Sequence, residues 1–120
     1  MNQKSLALAV MLILWNGIML GAQQNGGFTG PGLQAVTIQE ARTFRDDTPV
    51  LLRGNILRFL GDEKYLFSDS TGTIVIEIDD RLWRNLTVSE NDLVEIIGEV
   101  DRGFMRIEIE VDSIRKLQDI

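Results

Sequence analysis

The segment from Val50 to Ile56, which reads VLLRGNI, decides the fold class because every second residue is apolar or glycine. A period of two residues is typical of a β-strand with one buried face. We expect Val50, Leu52 and Ile56 to point into a core. Gly54 shares their face, and a glycine inside a strand favours a bulge or a sharp bend. The segment therefore predicts a strand that coils at Gly54.

Four later segments repeat this two-residue period, and turn residues separate them. The predicted inward residues are Tyr65 and Phe67 on the second strand, Ile74, Ile76 and Ile78 on the third, Val94, Ile96, Gly98 and Val100 on the fourth, and Ile107, Ile109 and Val111 on the fifth. The predicted turns are Gly61-Asp62, Ser70-Thr71-Gly72 and Arg102-Gly103. Glycine, aspartate and serine favour such turns because they adopt positive φ angles or bond to nearby backbone amides.

Two other stretches lack the alternation and predict short helices. Thr37-Ile38-Gln39-Glu40 has the form of a capping box, so a helix is expected through about Phe44. Residues 79–87 (DDRLWRNLT) suit one helical turn or a loop that plugs the end of a barrel. Three strands, a plug and a hairpin are the organisation of the OB-fold. The sequence therefore predicts an all-β, five-stranded Greek-key OB-fold barrel with a short N-terminal helix and a short helical plug between strands 3 and 4.

Residues 1–22 have the form of a cleavable signal peptide. Lys4 supplies its positive charge, and residues 6–15 (LALAVMLILW) form its apolar run. We expect cleavage between Ala22 and Gln23, with an uncleaved membrane anchor as the alternative. The apolar run has about 10 residues, whereas a membrane span needs roughly 20. The prediction is a periplasmic protein with no membrane span after cleavage. In it, a flexible Gly-rich leader over residues 23–36 precedes a folded domain over residues 37–120.

Composition removes several classes of chemistry. The 120 residues include no histidine and no cysteine. Cys and Ser-His nucleophiles, zinc fingers, thiolate-bound cofactors and a lipidated cysteine are therefore excluded. The formal net charge is −6, and loss of residues 1–22, whose one charged residue is Lys4, shifts it by one to −7. Such a surface repels nucleic acid phosphates. We expect no catalytic residue, no cofactor and no nucleic-acid partner.

An ordered set of motifs resembles the bacterial OB-fold (BOF) family of exported stress-tolerance proteins. The motifs are residues 50–56 (VLLRGNI), 65–72 (YLFSDSTG) and 94–100 (VEIIGEV), Trp83 in the plug segment, and the leader Gly-Gly-Phe-x-Gly-Pro at residues 26–31. The resemblance covers essentially the whole mature chain. It implies a periplasmic single-domain OB barrel that binds a ligand rather than catalyses, associated with survival under envelope stress. It implies no particular ligand and no particular binding residues.

Aromatic residues are the first candidates for ligand contact. OB barrels bind around strands 2 and 3 and through the loops joining strands 1 to 2 and 4 to 5. Phe59 and Phe104 lie in these loops, where each either stacks on a ligand or folds over a barrel mouth. Tyr65 either belongs to the core with its hydroxyl at the rim or contributes to the same face. Trp83 either plugs the barrel end or stacks on a ligand.

Acidic residues of outward parity are the second candidates. They are Glu95 and Glu99 on the fourth strand, Glu108, Glu110 and Asp112 on the fifth, and Glu77 on the third. One interpretation is a solvated face that keeps the sheet soluble and that tolerates replacing Glu108 and Glu110 by glutamine. The other is a site for cations such as polyamines, cationic peptides or a divalent ion. No loop with calcium-site spacing is present, so no metal site is predicted.

Three functions from different classes follow from these features. A non-catalytic periplasmic module that binds a small or cationic ligand and contributes to envelope stress tolerance is the first. A protein-interaction module that docks on an envelope protein is the second. A hydrolase of cell-wall glycan is a distant third. The two catalytic carboxylates of a glycosidase face each other across a cleft, whereas the acidic residues predicted here point outward from the strands.

Overall fold

The computed structural model describes residues 32–117. The predicted signal peptide, its cleavage site at Ala22 and Gln23, and residues 23–31 of the predicted leader lie outside the described residues. Between residues 32 and 117, no helix has the length and apolar character required to cross a membrane.

Six strands and two short helical segments make up the described chain. They are β1 (Ala35–Val36), α1 (Ile38–Ala41), β2 (Pro49–Gly61), β3 (Lys64–Asp69), β4 (Gly72–Glu77), a 3-10 helix (Asp80–Leu82), β5 (Val94–Gly103) and β6 (Arg106–Lys116). The sheet has the order β1-β2-β3-β4-β6-β5, and β5 pairs with β2 to close it. The β4–β6 pair is parallel, whereas the other pairs within the barrel are antiparallel. The predicted five-stranded Greek-key OB-fold barrel is confirmed.

The long strand β2 belongs to both halves of the barrel. Residues 49–54 pair with β5, and residues 55–61 pair with β3. Gly54 lies at the changeover, where a Cβ atom would overlap the carbonyl oxygen of Ser68. Only a residue without a side chain lets the strands approach so closely. Gly54 is therefore a point of close strand approach, whereas the register shifts of β2 lie further on, between Ile56 and Arg58 and between Phe59 and Gly61.

The core is the set of inward faces that the alternation predicts. Its fully buried members are Ile38, Val50, Leu52, Phe67, Ile74, Ile76, Ile78, Val94, Ile96, Val100 and Ile109. Tyr65, Trp83 and Ile107 are partly buried and pack against this core. At roughly 25 cal/mol per Å² of buried apolar surface, these faces supply the main driving force for closing the barrel.

Helix α1 is held against the β3–β4 hairpin by hydrogen bonds that its first backbone amides donate. Thr37 and Glu40 form the predicted capping box. The Ile38 amide donates to Asp69 Oδ2 (2.8 Å), and the Thr71 amide donates to Asp69 Oδ1 (2.7 Å). The Asp69 carboxylate therefore accepts hydrogen bonds from both the hairpin and the helix. The helix ends at Ala41 rather than near the predicted Phe44, and the chain continues as turns that still pack Phe44 on the core.

The ordered fold begins earlier than Thr37. Ala35 and Val36, assigned to the flexible leader by the sequence pattern, form β1 and pair in parallel with Leu51 and Leu52. The reason is that β3 pairs with β2 only from Asn55 onward, so the same edge of β2 is free at residues 51 and 52. A free strand edge offers unpaired amides and carbonyls to a neighbouring segment.

Two turns lie later than the sequence predicts. The β2–β3 turn is formed by Asp62 and Glu63, both with positive φ angles (53° and 63°). The β5–β6 turn is formed by Phe104 and Met105 rather than by Arg102-Gly103, because Gly103 still pairs with Arg106. Hydrogen bonds from Arg102 to Asp46 and to the carbonyl of Phe44 hold Arg102 in the strand.

Candidate functional site

Three aromatic side chains form a continuous surface near the β2–β3 turn. Phe59 on β2 faces Tyr65 on β3, and their ring centroids lie 5.1 Å apart. Tyr65 meets Trp83 edge to face at 5.5 Å. Phe59 is 60% exposed, although its ring contacts this cluster. Tyr65 and Trp83 are partly buried and pack against the barrel core, while Phe59 remains open to solvent.

A groove of about 400 Å³ lies against these rings. We call it the aromatic groove; its walls are Ile56, Leu57, Arg58, Phe59, Tyr65, Trp83, Leu86, Thr87, Val88 and Glu90. Most of these side chains are apolar or aromatic, with one cation and one anion among them. Apolar and aromatic walls with few polar groups are typical of small-molecule sites.

Phe104 does not join this groove. It is 93% exposed at the β5–β6 turn, beside Met105 at 91%. The pairing registers place the β2–β3 turn at the Glu77 end of β4, because Lys64 pairs with Glu77. The β5–β6 turn lies at the opposite end of β4, because β6 runs parallel to it and Glu108 pairs with Val75. The two predicted loop aromatics are therefore separated by the length of a strand.

The predicted acidic residues of outward parity fall into two groups. Some are paired with cationic side chains, and others form no ion pair within the described residues. Glu95 is buried, with 6% exposure, between Arg115 Nε (2.8 Å) and Arg53 Nε (2.9 Å). The hydrogen bonds from Arg115 and then Arg53 hold the pKa of Glu95 below its ordinary value. The expectation of a solvent-facing Glu95 is therefore wrong. Arginines of the same outward parity on β2 and β6 cover it.

Glu108 is buried to the same extent and is also paired. Lys64 Nζ donates to Glu108 Oε2 at 3.1 Å. Arg106 Nη1 lies 2.9 Å from Glu108 Oε1, but this oxygen accepts no hydrogen bond, so the contact is ionic only. The expectation that Glu108 belongs to an exposed ladder is wrong for the same reason as for Glu95.

Of the four other predicted acids, Asp112 lies elsewhere on β6 and three lie in one line across the sheet. Glu77 on β4 pairs in register with Glu110 on β6, which pairs with Glu99 on β5. We call these three residues the acidic row. None of them forms an ion pair with any residue of the described range 32–117. Burial, together with the charges of Glu77, Asp101, Asp112 and Glu99, raises the pKa of Glu110.

Neither the groove nor the row has the geometry of a metal centre. Within the part of the chain that the structure describes, no group of three or more acidic side chains is arranged to hold a metal ion. An apolar groove instead suits a ligand with a ring or hydrocarbon surface, and a line of free carboxylates suits a ligand with spaced positive charges.

Sequence reasoning missed part of the groove wall. Leu86 and Val88 line it, although they lie in a stretch without strand periodicity. The signal available was the run of apolar residues at positions 82, 83, 86 and 88, which is more than a solvated loop needs. The covering of Glu95 and Glu108 also had a signal. Arg53 and Arg106 share the outward parity of the acids.

Comparison with known proteins agrees with this architecture. Residues 17–116 match the family described as "Bacterial OB fold (BOF) protein". Protein YgiW of Escherichia coli K12 is 47% identical, over 96% of this chain and 98% of YgiW. Calcium-regulated OB-fold protein CarO of Pseudomonas aeruginosa is 32% identical, over 98% of this chain and all (100%) of CarO.

Solved structures show the same fold. The structure of YgiW from E. coli is 47% identical, with a TM-score of 0.70 over 77% of this chain and 99% of that chain. Telomere capping protein Ten1 from Saccharomyces pombe, at 12% identity and a TM-score of 0.58, covers 71% of this chain and 81% of its own; it shares the fold alone. The family match and the two relatives together identify the chain as a member of the bacterial OB fold (BOF) protein family.

Proposed function

We propose that the protein is a non-catalytic ligand-binding module of the periplasm that contributes to envelope stress tolerance. Its ligand would lie in the aromatic groove. The observation that carries the proposal is Phe59, a large apolar side chain that is 60% exposed yet held in contact with Tyr65. An exposed aromatic ring in fixed contact with a second ring offers a stacking surface with little rotamer entropy to lose on binding.

The test is an NMR titration with a panel of glycan fragments, polyamines and cationic peptides. We expect a ligand of the groove to shift the resonances of Tyr65, Thr87 and Val88. Phe59→Ala should weaken that binding by about tenfold, since one stacking contact contributes about 1 to 1.5 kcal/mol. Phe104→Ala is the matched control, because Phe104 is even more exposed but lies outside the groove. Equal effects of the two changes would count against the groove.

A second candidate site for a cationic ligand is the acidic row. Its support is the alignment of Glu77, Glu110 and Glu99 in register across three strands without a cationic partner in the described chain. Isothermal titration with spermidine should then show binding that added salt weakens. Glu110→Gln should reduce the affinity more than Glu90→Gln, which changes the net charge equally but lies in the groove wall. Absence of salt-sensitive binding would indicate that the acidic row is a solvated face and not a binding site.

The β5–β6 turn favours the alternative of docking on an envelope protein. Phe104 and Met105 project there with almost no contact to their own domain. A photo-crosslinking amino acid placed at position 104 should capture one defined envelope protein in living cells, whereas the same group at Asp47 should not. Equal labelling from both positions would contradict this alternative.

A further inference from the structure

A second concave site adjoins the aromatic groove. It is an open cleft of about 710 Å³ between residues 82–87, which begin at the last residue of the 3-10 helix, and residues 114–116 at the end of β6. Its volume falls in the range of small-molecule sites, about 300 to 1,000 Å³. Trp83, Leu86 and Thr87 line both concavities, and the remaining walls of the two differ. We call this site the basic cleft.

The floor of the basic cleft is apolar. Leu82, Leu86 and Ile114 line it and are half-buried. Leu82 and Ile114 also pack against the barrel core, so the floor is fixed by the fold rather than by a mobile loop. A hydrocarbon or ring placed on this floor would leave water and gain the free energy of apolar burial.

The rim of the basic cleft has the opposite charge from the protein as a whole. Arg84, Arg115 and Lys116 line it, and no acidic residue does. The chain carries 18 Asp and Glu against 12 Lys and Arg. A cavity whose charged wall residues are all cationic is therefore not expected from composition. It points to a ligand that bears negative charge.

Ion pairs leave part of this positive charge free. Arg115 and Arg53 share one carboxylate, that of Glu95, so this group retains a net charge of about one positive unit by simple charge counting. Lys116 Nζ is paired with Asp92 at 3.3 Å. Arg84 makes no ion pair and no side-chain hydrogen bond with residues 32–117. Its guanidinium, with five donors in a planar fork, is available for a carboxylate or a phosphate.

The backbone at Arg84 supports the same conclusion. Arg84 has a φ angle of 49°, in the left-handed region that favours glycine. No ion pair of its side chain within residues 32–117 offsets that strain. Strained residues that the fold does not need for packing tend to lie at ligand sites.

We propose that the basic cleft binds an amphiphilic anion: its apolar body lies on Leu82, Leu86 and Ile114, and its carboxylate or phosphate binds Arg84. This ligand class differs from that of the aromatic groove, so either proposal can fail without the other.

The experiment is an NMR titration of the protein with two anionic probes, laurate and dodecyl phosphate, below their micelle concentrations. Both should saturably shift the amides of Asn85, Arg115 and Lys116, which line the basic cleft but not the aromatic groove. Dodecyltrimethylammonium has the same chain with a cationic head and should bind at least tenfold more weakly. Inorganic phosphate alone should give no saturable shift. Stronger binding by one of the two anions would identify the preferred head group.

Arg84→Gln should weaken binding of both anions by about tenfold, as expected for loss of a charge-assisted contact. Arg45→Gln removes the same charge outside the cleft and should leave the affinity within about twofold, because solvent and salt screen distant charges. Arg84→Gly should raise the melting temperature by relieving the positive φ angle, yet bind as weakly as Arg84→Gln. Phe59→Ala should not change the affinity.

Three results would overturn the proposal. The first is equal binding of the cationic and anionic amphiphiles, which would indicate non-specific apolar adsorption. The second is an equal loss of affinity in Arg84→Gln and Arg45→Gln, which would indicate an effect of net charge. The third is the absence of saturable shifts at Asn85 and Arg115 with either anion.

Discussion

Gly98 on β5 is a residue whose missing side chain allows two strands to pack. A Cβ atom there would overlap the carbonyl oxygen of Glu110 on β6, next to a register shift between Ile97 and Gly98. Gly98→Val should lower the free energy of unfolding by about 1 to 3 kcal/mol or more, because backbone cannot move aside as a side chain can. Ile97→Val, on the 36% exposed neighbour, is the control and should cost under about 1 kcal/mol. Similar melting temperatures for the two variants would contradict the assigned strand faces.

Asp69 is a residue that joins two elements through its carboxylate. Burial raises its pKa, but hydrogen bonds from the Thr71 hydroxyl and from backbone amides including that of Ile38 outweigh burial and leave the pKa below its ordinary value. The ionised form therefore stabilises the native state. This contribution is present above the unfolded pKa of about 3.9 and is lost as the pH falls through the lower folded value.

Asp69→Asn should lower the free energy of unfolding at pH 7 by about 1 to 2 kcal/mol, because an amide cannot accept with both terminal atoms. The difference from the unchanged protein should be smaller at an acid pH, below the lowered pKa of folded Asp69, where Asp69 itself becomes protonated. Urea unfolding at both pH values measures this. Asp47→Asn is the control, since Asp47 is exposed and asparagine tolerates its φ angle of 66°. A pH-independent loss in Asp69→Asn would show that its charge is irrelevant.

At the scale of strands, β5 and β6 carry two kinds of acid, which should respond oppositely to removal of charge. The raised pKa of Glu110, caused by burial and by Glu77 and its other acidic neighbours, means that its charge opposes folding. This cost appears as the pH rises from the ordinary value of 4.5 through the raised one. Glu108, by contrast, has two cationic partners, Lys64 and Arg106.

Glu110→Gln should therefore raise the free energy of unfolding at pH 7 and low salt by a few tenths of a kcal/mol, and added salt should reduce the gain. Glu108→Gln should lower it by about 1 to 3 kcal/mol, because Lys64 and Arg106 lose their partner. The sequence predicts that both changes are tolerated, whereas the pairing of Glu108 with Lys64 and Arg106 leads us to expect a loss of stability for Glu108→Gln. Equal effects would mean that the pairing of Glu108 contributes nothing. Thermal unfolding at two salt concentrations distinguishes these outcomes.

At the scale of the whole molecule, the expected product in the cell is a chain that begins at Gln23. The reason is the short apolar run of residues 6–15, which is too short to remain as an anchor. Mass spectrometry of the periplasmic fraction should find this N-terminus, within a residue or two because Leu20 is larger than the residue usually found there. Full-length protein in the inner membrane would contradict the prediction.

The sequence by itself determined the strands, the barrel and the family. Inward faces such as Val50-Leu52 and Ile74-Ile76-Ile78 follow from a two-residue period, which is a local property of the backbone. The close approaches at Gly54 and Gly98 were predictable for the same reason, because both glycines share the parity of buried residues. The position of the β5–β6 turn was not predictable in this way. The contacts that keep Arg102 in the strand come from Asp46 and Phe44, which are 56 and 58 positions away in the chain.

Only the tertiary structure decided which candidate site residues lie together. Phe59 and Tyr65 meet, but Phe104 lies at the other end of the sheet, because the parallel β4–β6 pairing fixes where the last hairpin turns. The charges of Glu95 and Glu108 are paired with those of Arg53 and Lys64, which are 42 and 44 residues away in the chain. The two-residue alternation along a strand predicts the face of the sheet on which a charged side chain lies. Whether that charge is neutralised depends on which strands the closed barrel places beside it.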